Sequence, residues 1–326
     1  MKLASLRQGG RDGSLVVVDR ALTRAARVSD IAPTLQCALE NWALCAPRLA
    51  AVAVVLERGE LSAAFPLVPA DLASPLPRSY QFLDGSVYLH HMLKARQARG
   101  AAMPANYLTE PLMYQGMSHA FCGPRETLHL PSEDLEIDYE AEIAVVLDDV
   151  PLGVDVTAAG AHIKLVMLLN DFTARALTRS ELPKGFGFLQ SKPTSSFSPV
   201  AVTPDELGQA WDGARLTLPL LAHVNDRLIG QPNAGVDMFF TYPQLIAHAA
   251  RTRALSAGTI IGGGAVSNQD SATGHGCLAE TRMHEQELHG GARTPWLRAG
   301  DRVRIEMFDT NGQSIFGAID QAISVG

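Results

Sequence analysis

Beyond residue 77 the chain is a succession of short apolar, β-branched runs separated by glycine- and proline-rich turns. Runs of this kind at residues 137–147, 164–170, 216–225, 259–261, 302–308 and 314–319 predict strands. Helical spacing is rarer, at residues 88–99 and 243–252. The first 72 residues read differently. Residues 14–19, SLVVVD, predict a strand, and the Ala- and Leu-rich stretch 34–56 predicts a helix broken or kinked at Pro47. Pro66, Pro69, Pro75 and Pro77 mark residues 66–77 as an extended linker. The pattern predicts a mixed, β-rich α+β fold. A rolled or barrel-like mixed sheet is expected over residues 73–326, preceded by a small N-terminal α/β domain at 1–72.

Composition narrows the possible partners. The 326 residues are 47% apolar and 19% charged, which suits a packed globular protein. The net charge of -7, without a long basic run, argues against nucleic acid. The opening residues lack the apolar core of a signal peptide, and runs such as 49–56 are too short to span a bilayer. No membrane partner and a cytoplasmic location are therefore expected. Cys37, Cys45, Cys122 and Cys277 show no paired spacing and are expected as free thiols in a reducing compartment.

Candidate chemistry concentrates in four segments. In IDYEAEIAVVL, strand alternation puts Asp138, Glu140 and Glu142 on one face, which continues as Ala144 and Val146. Adjacent carboxylates at the edge of a core repel one another and lose hydration. A hard divalent cation (Mg2+, Mn2+ or Ca2+) relieves both, whereas a solvated edge strand needs none. In MLLNDFTAR an apolar run ends in Asn170 and Asp171, with Arg175 four residues on. Asp171 suits a ligand presented by a buried strand, and equally the N-cap of a following helix. In LDGSVYLHHM, His91 follows Asp84 by seven residues, two helical turns, so both can face one side while His90 points elsewhere. A lone histidine here is most often a core or surface residue. In GCLAETRM, Glu280 falls in a loop-to-strand region after Gly262, Gly263 and Gly264, whose freedom lets backbone approach a ligand.

In kind and order these segments resemble the fumarylacetoacetate hydrolase family over residues 80–320. The resemblance is carried by Glu140-x-Glu142, the run from Asn170 to Arg175, Lys192 in QSKPTSSFSP, Ser256-Ala257-Gly258-Thr259, Tyr114-Gln115-Gly116 and the closing RVRIEMFDTNGQSIFGAIDQ. It implies a divalent cation held by Asp84, Glu140, Glu142 and Asp171, and a His91–Glu280 pair that activates water. It implies that Arg175 and Lys192 stabilise negative charge, and that Tyr114, Gly258, Thr259, Arg175 and Thr178 meet the substrate. The implied reaction is hydrolysis of a carbon–carbon bond in a 1,3-diketo acid, fumarylacetoacetate first, by a homodimer in aromatic catabolism. Arg96 or Arg99 would add cations suited to a dianionic substrate. Thr178 stands where the family proper has glutamine, Leu182 where it has a substrate-contacting tyrosine, and the stretch from Asp171 to Lys192 is one residue longer. These departures touch the substrate pocket rather than the metal. Acylpyruvate and fumarylpyruvate hydrolases, oxaloacetate decarboxylases and 2-hydroxydienoate isomerases or hydratases share the fold. A non-catalytic small-molecule binder is a reading of another class. The His91–Glu280 pair discriminates, because hydrolysis needs an activated water.

Overall fold

The strand Ile163–Asp171, IKLVMLLND, sets the layout. Val166 and Leu168 enter one apolar core, while Leu165, Met167 and Leu169 enter another. Both faces are covered, so the run is apolar without alternation. A computed structural model describes residues 1–326. The strand lies inside an eleven-stranded mixed sheet. From one edge its order is Phe65–Pro66, Arg24–Arg27, Ser14–Val18, Lys2–Leu6, Ala201–Val202, Ile163–Asp171, Ala141–Leu147, Ile260–Gly262, Phe82–Gly85 and Met113–Gly116. Ser195–Phe197 pairs onto Ile163–Asp171 as a branch. A second sheet of five strands and a ribbon of two, Ile137–Asp138 with Thr173–Ala174, complete the fold. This is the expected β-rich α+β class, but the main sheet runs from edge to edge and no barrel closes.

The strands of the first 72 residues continue this same sheet, because Lys2–Leu6 pairs with Ala201–Val202. Helices Leu35–Glu40 and Trp42–Glu57 cover one of its faces. Leu35, Leu39, Leu49 and Leu56 share a core with Leu3 and Val17 and also with Met167 and Leu169.

Local differences from the sequence expectation have local causes. The 34–56 helix breaks at Asn41, whose φ of -128° and ψ of 36° leave the helical region, and whose side chain donates to the Cys37 carbonyl at 3.2 Å. Pro47 sits inside the second helix. Pro47 and Ala43, the residue four before it, are exposed, so water can take the hydrogen bond that proline removes. Residues 66–77 are packed rather than a free linker: Leu67, Leu72 and Leu76 are buried, and Ser5 Oγ donates to the Pro75 carbonyl at 2.7 Å. The last strand is Ile319–Val325, and the expected strand at 314–319 is a bend through Gly317, with φ of 71°. Glu280 belongs to the helix Leu278–His289, not to a loop-to-strand segment. No helix is long and apolar enough to cross a membrane, and all four cysteines are free.

Candidate active site

On one face of the central strands Phe82, Ala144, Val146, Met167, Leu169 and Ile260 form an apolar layer. Two residues further along each strand on that face the layer turns acidic: Asp84 after Phe82, Glu142 before Ala144, Asp171 after Leu169. Strand register pairs Leu169 with Glu142, and Gly262 with both Ala144 and Asp84, so the acids come level on neighbouring strands. The strand between those of Glu142 and Asp84 presents Gly262. A Cβ there would lie 3.2 Å from Glu142 Oε2 and closer still to Asp84 Oδ1, so the missing side chain makes the room the acids occupy.

Oxygens of Asp84, Glu142 and Asp171 lie within 4.8 Å of one another, and all three residues are buried. The Gly264 N–H donates to Asp84 Oδ1 at 3.1 Å and to Glu142 Oε2 at 3.0 Å. Ser195 Oγ donates to Asp171 Oδ1 at 2.7 Å, and the Tyr114 hydroxyl donates to Asp171 Oδ2. Glu142 Oε1 has no hydrogen-bond partner. Burial, reinforced by the charge of Asp171, pushes the Asp84 carboxyl up to about 8. Burial, then Asp84 and Asp171, push Glu142 well above the carboxylate range. An all-oxygen trio that resists joint ionisation and leaves one oxygen orphaned fits a hard divalent cation. Asp84, Glu142 and Asp171 are the residues that would hold it.

Glu140, the fourth expected ligand, lies beside this trio. Arg175 Nη2 is 2.7 Å from its Oε1 and Lys192 Nζ 2.5 Å from its Oε2. Burial opposes ionisation of Glu140, but these two cations hold its carboxyl far below the ordinary range. The chain leaves the ladder at Tyr139 and Glu140, between Ile137–Asp138 and Ala141–Leu147, so the three acids of the segment have different neighbours. Lys192 also reaches Asp171 Oδ2 at 2.5 Å. Burial would lower the Lys192 ammonium, yet Asp171 and Glu140 raise it above its usual range, so it stays charged.

His91 comes from the helix Leu89–Ala98. Its Nδ1 is 2.8 Å from Glu280 Oε2, and Ser267 Oγ donates to Glu280 Oε1 at 2.7 Å. Burial would raise the Glu280 carboxyl, but the hydrogen bond and charge of His91, with Ser267, hold it down to about 2. With Nδ1–H given to Glu280, Nε2 is left as an acceptor. Asp84 and His91 do not share a helix, as their spacing suggested. Asp84 lies in the strand Phe82–Gly85, and the chain turns before the helix starts at Leu89.

A cavity of about 260 Å³ joins the two groups. Asp84, His91, Tyr114, Glu140, Arg175, Thr178 and Lys192 line it, with Leu182, Arg96 and Arg99 further along its wall. Gly258 and Thr259 are not brought here, contrary to expectation. Gly258 N–H meets the Leu147 carbonyl, its Cα faces Gln36, and Thr259 Oγ1 donates to the Ser256 carbonyl at 2.7 Å. That end of the strand is about 13 Å from Gly262 at roughly 3.3 Å per residue. Gly264 and Ala265 line the cavity in their place. Ser195, Ser267 and Phe188 were not expected either. A serine that acts only by a hydrogen bond has no periodic or compositional signature.

Phe188 belongs to a loop that Glu181 closes. The Glu181 carboxylate accepts from the N–H groups of Leu189, Gln190 and Ser191 at 3.1, 2.7 and 3.2 Å and from Ser191 Oγ at 2.5 Å. Phe188 packs edge-on against Tyr114 at 4.9 Å, and Lys192 directly follows Ser191, the last residue that Glu181 holds. Glu181→Ala is expected to lower kcat/KM by about 10-fold to 10²-fold, since hydrogen bonds to charged groups contribute about 1.5–3 kcal/mol. Steady-state kinetics would check it, and an unchanged kcat/KM would show that the loop needs no such anchor.

Residues 81–323 match the family described as fumarylacetoacetate (FAA) hydrolase C-terminal, and residues 1–78 match fumarylacetoacetase N-terminal domain 2. Among curated relatives, oxaloacetate tautomerase Fahd2a of Rattus norvegicus is 26% identical over 222 residues, 63% of this chain and 66% of that protein. The 2,4-didehydro-3-deoxy-L-rhamnonate hydrolase of a Sphingomonas species is 27% identical over 156 residues, 47% of this chain and 52% of that protein. The chain spans about half to two thirds of the length of the curated relatives it matches. Among solved structures, maleylpyruvate hydrolase from Sphingobium sp. SYK-6, in complex with manganese(II) ion and pyruvate, superposes with a TM-score of 0.66 at 20% identity, covering 100% of both chains. The 5-carboxymethyl-2-hydroxymuconate delta-isomerase from Mycobacterium smegmatis gives 0.60 at 15% identity, covering 100% of this chain and 99% of that one.

Proposed function

The chain belongs to the fumarylacetoacetate hydrolase family, and from that premise we propose that it is a divalent-metal-dependent hydrolase of 1,3-diketo acids. Fumarylacetoacetate is the first substrate to try, with fumarate and acetoacetate as products. The observation that carries this reading is one cavity that meets an oxygen-only carboxylate trio through Asp84 and a separate His91–Glu280 pair through His91. A homodimer in the cytoplasm belongs to the same reading.

A cation at Asp84, Glu142 and Asp171 would supply Lewis acidity to a keto group and neutralise the trio. His91 Nε2 takes a proton from water, and Glu280 keeps the imidazole oriented and stabilises its protonated form. The hydroxyl adds to the acyl carbon. Arg175 and Lys192 hold the oxygen that becomes negative, a contribution of about 3 kcal/mol per donor in comparable sites. The carbon–carbon bond breaks, the leaving carbon takes up a proton, and water has been divided across the bond. Tyr114 and Lys192, both bound to Asp171, keep that carboxylate in place.

Isomerisation or tautomerisation of a keto acid is the second reading, favoured by the name of the Rattus relative. It consumes no water, so the His91–Glu280 pair would then carry a proton between the enol oxygen and a carbon of the substrate. The two separate by product. With Mg2+ or Mn2+ present, kcat/KM is measured for fumarylacetoacetate, fumarylpyruvate, acetylpyruvate and oxaloacetate. Fumarylacetoacetate is expected to lead. If oxaloacetate or a pyruvate derivative exceeds it by more than about tenfold, roughly 1.4 kcal/mol in transition-state stabilisation, the substrate assignment fails.

A further inference from the structure

Asp138 takes no part in the scheme above, yet it is a fully buried carboxylate with both oxygens bound. Its Oδ2 accepts from Arg175 Nε at 2.9 Å and lies 2.7 Å from Arg175 Nη2. The same oxygen accepts from the Ala279 N–H at 3.0 Å, and Oδ1 accepts from the Leu278 N–H at 2.8 Å. Leu278 and Ala279 open the helix Leu278–His289, and Glu280 is its third residue. The residue at that helix's N-cap, Cys277, makes no side-chain capping bond. A carboxylate brought from about 140 positions away in the chain therefore satisfies the first free N–H groups and meets the positive end of the helix.

Asp138 is itself fixed by the ribbon that leads to Arg175. Thr173 pairs with Asp138 and Ala174 with Ile137, and Arg175 N–H bonds the Glu136 carbonyl. One rigid carboxylate thus binds the guanidinium on one side and the base of the Glu280 helix on the other. Arg175 faces the cavity through Glu140, and Glu280 faces it through His91.

We infer that Asp138 is a positioning residue: it fixes the Arg175 guanidinium relative to the His91–Glu280 pair, so that the charge-holding and water-activating halves address one substrate carbonyl. The inference rests on the roles given to those residues above. It makes Asp138 distinct from Glu140 and Glu142, with which it shares a strand segment, because its oxygens are taken by an arginine and two backbone amides.

The test is a double-mutant cycle of Asp138→Asn and Glu280→Gln, with kcat, KM, cation Kd by calorimetry and Tm recorded for each protein. Asparagine is nearly isosteric but places an N–H donor where Arg175 or an amide N–H now donates. The expected result is a fall in kcat of about 10²-fold for Asp138→Asn, with KM and cation Kd within about threefold of the parent. The double variant should lose no more than about threefold beyond Glu280→Gln, because both act through one assembly. Multiplicative losses, or weakened cation binding in place of a kcat effect, would overturn the inference. Should Asp138→Asn not fold, Asp138→Glu takes its place in the same cycle. A readout independent of turnover is the downfield NMR proton resonance of the His91–Glu280 hydrogen bond. It should shift or vanish in the variant, and an unchanged resonance would overturn the inference. If the parent protein turns over no diketo acid, the proposed function fails while this resonance still decides the role of Asp138.

Discussion

Chelation of divalent cations is expected to abolish turnover, and Mg2+ or Mn2+ to restore it. Three buried carboxylates stand within 4.8 Å of one another at the end of an apolar layer. At such separations two unit charges repel by about 3–4 kcal/mol even at an effective dielectric near 20. Lys192 offsets part of this, but it is shared with Glu140, and Glu142 Oε1 is left without any partner. A cation supplies the missing charge and the missing contact. It should also raise Tm, since a ligand at 100 times its Kd stabilises the folded state by about 2.7 kcal/mol. Asp171→Ala removes one ligand, the carboxylate that Tyr114 donates to and one of the partners of Lys192, so activity should fall below detection through lost cation occupancy. Calorimetric titration of the variant would show the weakened binding. Full activity in a preparation shown by elemental analysis to be metal-free would sink the idea.

The adjacent histidines give the second large effect. His91→Ala should lower kcat by at least about 10²-fold, the usual contribution of a positioned general base, while His90→Ala should stay within about threefold of the parent. Successive residues on a helix point about 100° apart, and only His91 lines the cavity and meets Glu280. Removing its ring also strands Glu280, a buried carboxylate left with Ser267 as its side-chain partner. Cation binding should survive, because His91 groups with Cys277 and Glu280 rather than with the three ligand acids. A larger loss for His90→Ala than for His91→Ala would mean that a different helix face reaches the substrate.

Strand-borne features were the most legible in the sequence. The alternation through Glu142, Ala144 and Val146 and the apolar run ending at Asp171 depend on a period of two, which the sequence displays directly. The choice between ligand and N-cap for Asp171 could not be made from one strand. The N-cap reading falls because the helix after it starts only at Arg175, and the Asp171 carboxylate meets Ser195, Tyr114 and Lys192 instead, which arrive from other parts of the chain. Asp84 and His91 do meet one cavity, but through a strand and a turn rather than through the helical spacing read from the sequence. Gly258 and Thr259 were expected at the substrate through the family resemblance of their segment, whereas the register of the strand that follows puts Gly262 beside the acids and Gly264 at the cavity wall. The helix around Glu280 was missed because its opening is capped by Asp138 rather than by a neighbouring residue.

The continuity of the main sheet bears on which strand edges this protein leaves open. Lys2–Leu6 occupies the free side of Ala201–Val202, and the helices Leu35–Glu40 and Trp42–Glu57 lie over Met167 and Leu169. Residues 73–326 on their own would present an unpaired strand beside a bared apolar face. That combination is a template for adding further chains edge to edge. The first 72 residues carry none of the cavity-lining groups, yet they act as a covalently attached edge guard. Attached covalently, they cover the open strand and the apolar face that residues 73–326 would otherwise expose.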